Sequence, residues 1–259
     1  MPFAKLPDVQ ICYEWAGADH RPALVLSNSL GTNLKMWDPQ VEEFTKHFRV
    51  LRYDTRGHGQ SGVTPGPYNI EQLGWDLIRL LDVLKQDRVY FCGLSMGGMT
   101  GIFLAANAPK RFHRIVLSNT AAKIGTAETW NARIQAVESG GMKAVASAVI
   151  ERWLTRDYRS AHPVETQAAL AMLEAANPQG YKACCAAVRD MDQRKSLATI
   201  QLPCLALTGT HDPVTPPAES RLLRDSIPGA QFAELSAAHL SNLEARDEFN
   251  RLVLQFLLA

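Results

Sequence analysis

The chain has 259 residues, of which 46% are hydrophobic, and its formal net charge is +1. This length fits one large α/β domain, or one domain that carries an insertion. A net charge near zero, without a run of basic residues, argues against a protein that binds nucleic acid or anionic membranes. The N-terminal segment lacks the apolar stretch of a signal peptide, and no run of about 18 apolar residues occurs. We therefore expect a soluble, cytoplasmic protein.

Seven short apolar runs predict β-strands, and most are nearly continuous, as in a parallel sheet that is covered on both faces. They span residues 11–16, 23–29, 48–54, 88–93, 114–119, 202–209 and 231–235. Helical patterns alternate with them, over residues 39–47, 70–85, 96–108, 217–225 and 242–258. This alternation predicts βαβ units.

One gap breaks the alternation, because nothing between residues 121 and 197 resembles a strand. Hydrophobic residues there recur at helical spacing on both sides of Gly140-Gly141, and two alanine-rich helices follow. We predict a core formed by residues 1–120 and 198–259, with an all-helical cap inserted at residues 121–197. Because the insertion follows a strand, it should lie at the carboxyl ends of the strands, where open α/β sheets bind their ligands.

The five cysteines do not suggest a metal site. Cys12, Cys92 and Cys204 lie in strand-like runs and are expected to be small buried hydrophobic residues. Cys184 and Cys185 are adjacent on a helix, where neighbouring side chains do not face each other. No Cys-x-x-Cys or His-x-x-x-His spacing occurs, so the sequence predicts no bound metal.

The segment Gly93-Leu94-Ser95-Met96-Gly97 stands between a predicted strand and a predicted helix. In a G-x-S-x-G turn the serine is held in a strained conformation that exposes its hydroxyl, and the small flanking residues prevent clashes. The pattern predicts Ser95 as a nucleophile, and the alternative is a glycine-rich helix start with a solvated serine. The Met96 amide, at the helix N-terminus, would face an oxyanion formed at Ser95.

A serine hydroxyl is a poor nucleophile unless a base takes its proton, and the base needs an orienting acid. Asp212 follows the strand at residues 202–209, and His239 follows the last predicted strand. The order serine, aspartate, histidine is that of hydrolases with such a turn, and all three residues would lie at one edge of the sheet. We therefore predict Asp212 as the orienting acid and His239 as the general base.

Other polar residues compete for these roles. His211 neighbours Asp212, but successive residues at a strand end point to opposite sides. His58 lies in a glycine-rich loop before the serine and is expected to hold that turn through hydrogen bonds. Asp54 ends a strand on the amino side of Ser95 and is expected to brace Arg56 or the loop.

A second oxyanion donor is expected in the loop that follows the strand at residues 23–29. This loop contains the sequence NSLGT, and the amide of Leu30 is the predicted donor. Removing one such donor typically lowers a rate about a hundred- to a thousand-fold. The side chains of Asn28 and Ser29 are expected to stiffen the loop.

Five segments together resemble a known family: SNSLGTNLKMWDPQ, RVLRYDTRGHGQSG, GLSMGGMTG, LTGTHDPVTPP and AAHLSNLEARDEFN. They resemble the α/β-hydrolase superfamily and, within it, the 3-oxoadipate enol-lactonases of aromatic breakdown. Asn28-Ser29 stands where most such enzymes have His-Gly, and this departure, with HLSNLE, agrees with the lactonases. The resemblance implies an α/β-hydrolase fold, with a mostly parallel twisted sheet flanked by helices and the cap inserted after the sixth strand.

The resemblance also implies a reaction, the hydrolysis of 3-oxoadipate enol-lactone to 3-oxoadipate without a metal or an organic cofactor. Ser95 would attack the lactone carbonyl while His239 takes its proton and Asp212 holds the imidazole. The Leu30 and Met96 amides would bind the oxyanion, and water activated by His239 would release the acid. Three alternatives remain: a broader serine carboxylesterase, a carbon–carbon bond hydrolase of another aromatic pathway, and a non-catalytic ligand-binding module.

Because this lactone carries a free carboxylate, the cap should offer a cation. Arg133 lies beside Trp130 on the helical stripe, and its guanidinium could hold a carboxylate through two parallel hydrogen bonds. A solvated arginine is the alternative. Three further cap residues are expected to line the same pocket: Trp130, Met142 and Trp153. Packing between the cap and the core would explain hydrophobic residues at these positions equally well. Two further cap arginines are weaker candidates for the cation: Arg152 and Arg156. The oligomeric state is left open.

Overall fold

An eight-stranded sheet forms the centre of the structure, a computed structural model that describes all 259 residues. The strands are β1 (Phe3–Lys5), β2 (Gln10–Ala16), β3 (Ala23–Ser27), β4 (Arg49–Tyr53), β5 (Val89–Leu94), β6 (Phe112–Ser118), β7 (Cys204–Gly209) and β8 (Gln231–Leu235). Their order across the sheet is β1-β2-β4-β3-β5-β6-β7-β8. The pairs β1–β2 and β2–β4 are antiparallel and every other pair is parallel. The predicted, mostly parallel sheet is confirmed.

Eleven α-helices surround or cover this sheet. They are α1 (Asp38–Phe44), α2 (Ile70–Val83), α3 (Met96–Asn107), α4 (Ala127–Gly140), α5 (Lys143–Trp153), α6 (Arg156–Ala161), α7 (Pro163–Glu174), α8 (Pro178–Asp190), α9 (Pro217–Ser226), α10 (Ser241–Glu244) and α11 (Arg246–Leu258). The central strands β3 and β7 are buried along their whole length, because helices cover both faces of the sheet. None of the helices has the length and hydrophobicity of a membrane-spanning segment.

Outside the inserted helices, three elements differ most from the sequence-based expectation. The strand β1 was not predicted, because it has only three residues and buries one of them, which is too short for a recognisable pattern. The strand predicted at residues 23–29 ends at Ser27, so Asn28-Ser29 belongs to the following loop. The helix predicted at residues 242–258 divides at Ala245, whose φ of −118° and ψ of 47° are not helical.

No strand lies between β6 and β7, where α4 to α8 and a 3₁₀ helix (Arg194–Thr199) follow one another. The prediction missed α6, a short helix with no buried residue. These helices pack on the loops at the carboxyl ends of the strands. A Cβ atom on Gly180 would lie 2.0 Å from the carbonyl oxygen of Gly57, so α8 touches the loop after β4 backbone to backbone.

The helices inserted after β6 share one hydrophobic core with the sheet. A single cluster of 73 buried residues includes Val149 and Leu173 from the inserted helices together with Leu24 and Val116 from the sheet. A shared core holds the inserted helices firmly over the strand ends, where the side chains predicted to carry the chemistry lie.

Candidate active site

Ser95 occupies the turn between β5 and α3 in a strained conformation, with φ of 57° and ψ of −116°. A Cβ atom on Gly93 would lie 2.3 Å from the Gly97 oxygen, and one on Gly97 would lie 2.2 Å from the Ser27 oxygen. A side chain at either glycine would therefore collide with backbone. This is the strand–turn–helix geometry that the G-x-S-x-G spacing predicts.

The end of β6 holds this strained turn in place. The amide of Ser95 donates to the carbonyl oxygen of Ser118 at 2.9 Å. The Thr120 hydroxyl donates to the carbonyl oxygen of Ser95 at 2.7 Å. Both backbone polar groups of Ser95 are thus satisfied by residues of one neighbouring segment, which fixes the direction of its side chain.

Asp212 and His239 follow β7 and β8 and meet at the same edge of the sheet. Nδ1 of His239 lies 2.8 Å from Oδ2 of Asp212, and both side chains are buried. An ionised carboxylate can only accept a hydrogen bond, so the proton of a neutral imidazole lies on Nδ1. Nε2 is then the unprotonated nitrogen, which is the form that a general base requires.

The carboxylate of Asp212 is surrounded by hydrogen-bond donors. Oδ1 accepts from the amides of Val214 at 2.7 Å and Thr215 at 3.1 Å. Oδ2 accepts from the Thr215 hydroxyl at 2.8 Å and the Asn119 side-chain amide at 2.9 Å. Burial alone would raise the pKa of Asp212, but the charge and hydrogen bond of His239, with these other donors, hold its pKa below the ordinary value. Asp212 therefore stays ionised.

No hydrogen bond joins the hydroxyl of Ser95 to Nε2 of His239. The imidazole makes its contacts through Nδ1, to Asp212 and, at 3.4 Å, to the Thr215 hydroxyl. Bonds between a nucleophile and its base are often long before substrate binds and tighten in the reacting complex. The geometry therefore places the predicted base beside the predicted acid, without a hydrogen bond to the predicted nucleophile.

Two backbone amides near Ser95 donate no hydrogen bond within the protein, those of Leu30 and Met96. The amides on either side of Leu30 are occupied: that of Ser29 donates to Met36 Sδ, and that of Gly31 donates to His58 Nε2. Buried backbone amides are almost always paired. The two free donors are therefore available to an acceptor from outside the protein.

The loop that carries the Leu30 amide is held on both sides. The Asn28 side chain donates to the Tyr53 carbonyl oxygen at 2.7 Å and accepts from Trp37 Nε1 at 3.0 Å. His58 Nε2 accepts from the Gly31 amide at 2.9 Å. Burial lowers the pKa of His58 to about 4, which keeps the ring neutral and able to accept.

The neighbouring loop after β4 is braced by Asp54. Its carboxylate accepts from the amide of Leu34 at 2.8 Å and from that of Gln60 at 2.7 Å. Arg56 pairs instead with Asp76, through two hydrogen bonds of 2.7 Å. Of the two expectations for Asp54, the structure supports the loop and not the arginine.

Four arginines of the inserted helices lack a carboxylate partner: Arg133, Arg152, Arg156 and Arg159. The guanidinium of Arg133 lies over the Trp130 ring, with its carbon 4.8 Å from the ring centroid. Burial and the nearby charge of Arg133 lower the pKa of Arg152. Burial raises the pKa of the Tyr181 phenol, and the charges of both arginines oppose that rise. The charges of Arg133 and Arg152 therefore act on each other and on the same buried tyrosine.

Tyr181 links this pair of arginines to the loop that carries Leu30. A Cβ atom on Gly31 would lie 3.0 Å from Cε2 of Tyr181, so the ring packs directly on the loop. Tyr181 is thus a neighbour of this loop and is affected by the charges of both arginines.

The other predicted cap residues are placed differently. Trp153 lines a cavity of about 420 Å³, together with Thr32 and with Leu240, which follows His239. Neither Trp130 nor Met142 lines this cavity. Met142 is buried in the core, and Trp130 donates from Nε1 to the Ile124 carbonyl oxygen at 3.0 Å.

Sequence reasoning missed several residues that support the site, above all Asn119, Tyr181 and Glu244. Asn119 directly follows β6 and could have been suspected, because a polar residue just after a strand and beside the predicted acid is a natural donor. Nothing in the local sequence of the other two residues indicates their partners. No three His, Cys, Asp or Glu side chains are grouped so that they could hold a metal ion.

Comparison with known proteins agrees with this geometry. The family model of the alpha/beta hydrolase fold matches residues 22–245, so the chain belongs to the α/β-hydrolase family and is a hydrolase. It is 42% identical over 246 residues to 3-oxoadipate enol-lactonase 2 of Acinetobacter baylyi, across 95% of this chain and 92% of that protein. The crystal structure of the enol-lactonase from Burkholderia xenovorans LB400 is also similar, with a sequence identity of 45% and a TM-score of 0.98. The match covers 100% of this chain and 100% of that chain. A thermophilic esterase from Thermogutta terrifontis is 25% identical, with a TM-score of 0.93 over 99% of this chain and 98% of its own.

Proposed function

We propose that this hydrolase opens 3-oxoadipate enol-lactone to 3-oxoadipate, a step of the β-ketoadipate pathway, with Ser95, His239 and Asp212 as a catalytic triad. The 2.8 Å contact between His239 and Asp212, at the sheet edge that also carries Ser95, is the observation on which this proposal rests. The likeness to proteins named as enol-lactonases, at 42% and 45% identity, supports the choice of substrate.

In the first half of the reaction, the hydroxyl of Ser95 attacks the lactone carbonyl and His239 Nε2 takes the hydroxyl proton. The new imidazolium is stabilised by the ionised Asp212. Negative charge develops on the carbonyl oxygen, which accepts hydrogen bonds from the Leu30 and Met96 amides. The ring C–O bond then breaks and His239 returns the proton to the leaving oxygen. The product is an acyl-enzyme that carries an enol, and the enol becomes the ketone.

The second half repeats the same proton transfers with water as the nucleophile. His239 takes a proton from water, the hydroxide attacks the acyl carbon, and the same two amides bind the second oxyanion. The C–O bond to Ser95 breaks, and His239 returns its proton to the serine oxygen. His239 returns every proton that it takes, so the proposed reaction is complete without a metal or an organic cofactor.

The unpartnered cap arginines supply a reason for an anionic substrate. An arginine without a carboxylate partner is ready to bind one, and a guanidinium can do so through two parallel hydrogen bonds. We assign this role to Arg133, with Arg152 beside it, because both lie close to Tyr181, which packs on the loop that offers the Leu30 amide. Trp153, which lines the cavity of about 420 Å³ together with Leu240, is the cap residue that we place nearest to the substrate ring.

A broader carboxylesterase is the second candidate. The likeness to the Thermogutta terrifontis esterase favours it, because a triad and two amide donors serve an open-chain ester as well as a lactone. The two candidates therefore differ in what the cap binds and not in the chemistry at Ser95.

The experiment that separates them compares two substrates on the purified enzyme. We expect kcat/KM for the enol-lactone to exceed that for neutral p-nitrophenyl acetate by at least about a hundredfold, a difference of about 2.7 kcal/mol in transition-state binding. The Ser95→Ala variant serves as the control for background hydrolysis. A preference for the neutral ester would refute the lactonase and favour the esterase.

A further inference from the structure

Glu244, the last residue of α10, joins the His239 loop to the cap. Its Oε2 accepts from the Ala238 amide at 2.9 Å and from the Thr155 amide at 3.2 Å, and its Oε1 accepts from the Thr155 hydroxyl. Ala238 directly precedes His239 in the chain, and Thr155 is the N-cap residue of α6 in the cap. One carboxylate therefore holds two segments that are far apart in sequence.

A second contact holds the other side of the same loop. The amide of Leu240 donates to the carbonyl oxygen of Trp153 at 2.9 Å. The residue before His239 is thus linked to the cap segment 153–155 through Glu244, and the residue after it is bound to that segment directly. The opposite anchor lies in the sheet, where the Asn119 side chain is 3.2 Å from the Ala238 carbonyl oxygen. The backbone around His239 is therefore hydrogen-bonded to the sheet on one side and to the cap on the other.

The chemistry of Glu244 fits this bridging role better than general packing. Glu244 is half-buried and forms no ion pair, so its hydrogen-bond donors all come from the two segments that it joins. Hydrogen bonds to a charged acceptor are roughly twice as strong as those between neutral groups. A carboxylate is also the side chain that can accept from three donors at once.

The cap segment that Glu244 holds also lines a cavity, although neither Ser95 nor His239 is among the residues that line it. Trp153 and Leu240 line the same cavity of about 420 Å³, and Arg152 adjoins Trp153 in the chain. A ligand that displaces this segment would therefore move the backbone on both sides of His239. His239 Nε2 and the Ser95 hydroxyl form no hydrogen bond in the structure, so the position of the imidazole can still be adjusted.

We propose that Glu244 is a positioning residue that couples the cap to the base, so that the cap segment 153–155 sets where the His239 imidazole stands relative to Ser95. The inference rests on the proposed role of His239 as the base. It does not depend on which ester or lactone is the substrate.

The test follows the rate at which a small fluorophosphonate labels Ser95, measured by mass spectrometry well below the unfolding midpoint of every variant. Labelling requires the serine and its base to be aligned, yet a small reagent needs no contact with the cap. Glu244→Gln keeps the size of the side chain but loses an acceptor. We expect it to be labelled about tenfold more slowly, because a small misplacement of a reacting group lowers rates by up to about a hundredfold.

Matched variants separate positioning from stability. Glu248→Gln alters an exposed glutamate four residues further along the chain, in the first turn of α11, and should be labelled at the wild-type rate. Thr155→Ser keeps the hydroxyl that donates a hydrogen bond to Glu244, so Ser95 of this variant should be labelled at the wild-type rate. Thr155→Val lacks this hydroxyl, so its Ser95 should be labelled more slowly. For the enol-lactone, we expect Glu244→Gln to lower kcat and to leave KM nearly unchanged.

A folded Glu244→Gln variant that is labelled at the wild-type rate would overturn the inference. If that variant does not fold, a wild-type rate for Thr155→Val overturns it instead. A wild-type enzyme that is labelled but does not open the lactone would refute the proposed substrate alone, because the comparison of labelling rates still decides the coupling.

Discussion

The side-chain amide of Asn119 donates a hydrogen bond to Oδ2 of Asp212 at 2.9 Å. The same nitrogen lies 3.2 Å from the Ala238 carbonyl oxygen, and the Asn119 oxygen accepts from the hydroxyls of Ser118 and Ser241. Asn119 is fully buried and adopts a left-handed conformation, with φ of 45°. One neutral amide therefore connects the end of β6, the proposed acid and the loop that carries the proposed base.

This connection predicts a loss of activity when the amide is removed. Asn119→Gly tolerates the positive φ and removes only the side chain. We expect its kcat to fall about ten- to a hundredfold, because a hydrogen bond to a charged group contributes about 1.5–3 kcal/mol. Asn119→Ala should lose the same activity and be about 1 kcal/mol less stable than Asn119→Gly, since alanine is strained in this conformation. Steady-state kinetics and urea unfolding measure both effects, and a wild-type kcat for Asn119→Gly would contradict the first.

The strained backbone at Ser95 predicts a stability gain when its side chain is deleted. Ser95→Gly should be more stable than Ser95→Ala by about 1 kcal/mol, because glycine adopts a φ of 57° without a clash. In a protein of this size, that difference raises Tm by about 2–4 °C. Both variants lack the proposed nucleophile and should be inactive. Equal Tm values in differential scanning calorimetry would mean that the turn stores no strain.

Burial of His58 predicts a specific pH dependence of stability. Its pKa is lowered from 6.5 to about 4, so below pH 6.5 the unfolded chain takes up a proton that the folded protein does not. The stabilisation is fully present above pH 6.5 and is lost as the pH falls towards 4. His58→Gln can still accept from the Gly31 amide but does not titrate.

The measurement compares the free energies of unfolding of wild type and His58→Gln across this pH range. We expect the free energy of unfolding of the wild type to change more steeply with pH, by up to about 1.4 kcal/mol per pH unit. This slope corresponds to the uptake of one additional proton on unfolding. Parallel curves would show that folded His58 titrates normally and that its ring is not held neutral against the Gly31 amide.

The cap arginines predict a change in substrate affinity that depends on charge. Arg133→Ala should raise KM for the enol-lactone about tenfold or more and leave KM for p-nitrophenyl acetate nearly unchanged, because only the lactone carries a carboxylate. Arg152→Ala should act in the same direction. Arg156→Ala, at an exposed cap position, is the matched control and should change neither value. Equal effects of Arg133→Ala on both substrates would indicate a packing role instead.

Much of this arrangement could be predicted because it is local in sequence. Ser95 is marked by glycines two residues away on each side, and the clashes that a Cβ atom would cause there explain that spacing. Asp212 follows the buried strand β7 and His239 follows the edge strand β8, and parallel strands bring their carboxyl ends to one edge. A strand and the turn that follows it can be predicted from the local sequence, even when the residues that meet at the site are more than a hundred positions apart.

The supporting contacts could not be predicted, because they depend on how distant segments meet. Asn119 reaches Asp212 only through a left-handed backbone that its own residue type permits but does not require. Glu244 contacts Thr155, 89 residues away, after the cap has folded over the strand ends. The strand β1 was missed for a different reason, since three residues are too few to show a period.

The central claim is that catalysis proceeds through an acyl-enzyme at Ser95, and rapid-quench mass spectrometry with the enol-lactone tests it most directly. A lactone loses no fragment when its ring opens, so the acylated protein should gain the full mass of the substrate. Peptide mapping should place that mass on Ser95, and the Ser95→Ala variant should show no adduct and a turnover lower by several orders of magnitude. An adduct on another residue, or a Ser95→Ala variant that keeps more than about a tenth of the wild-type kcat, would contradict the claim.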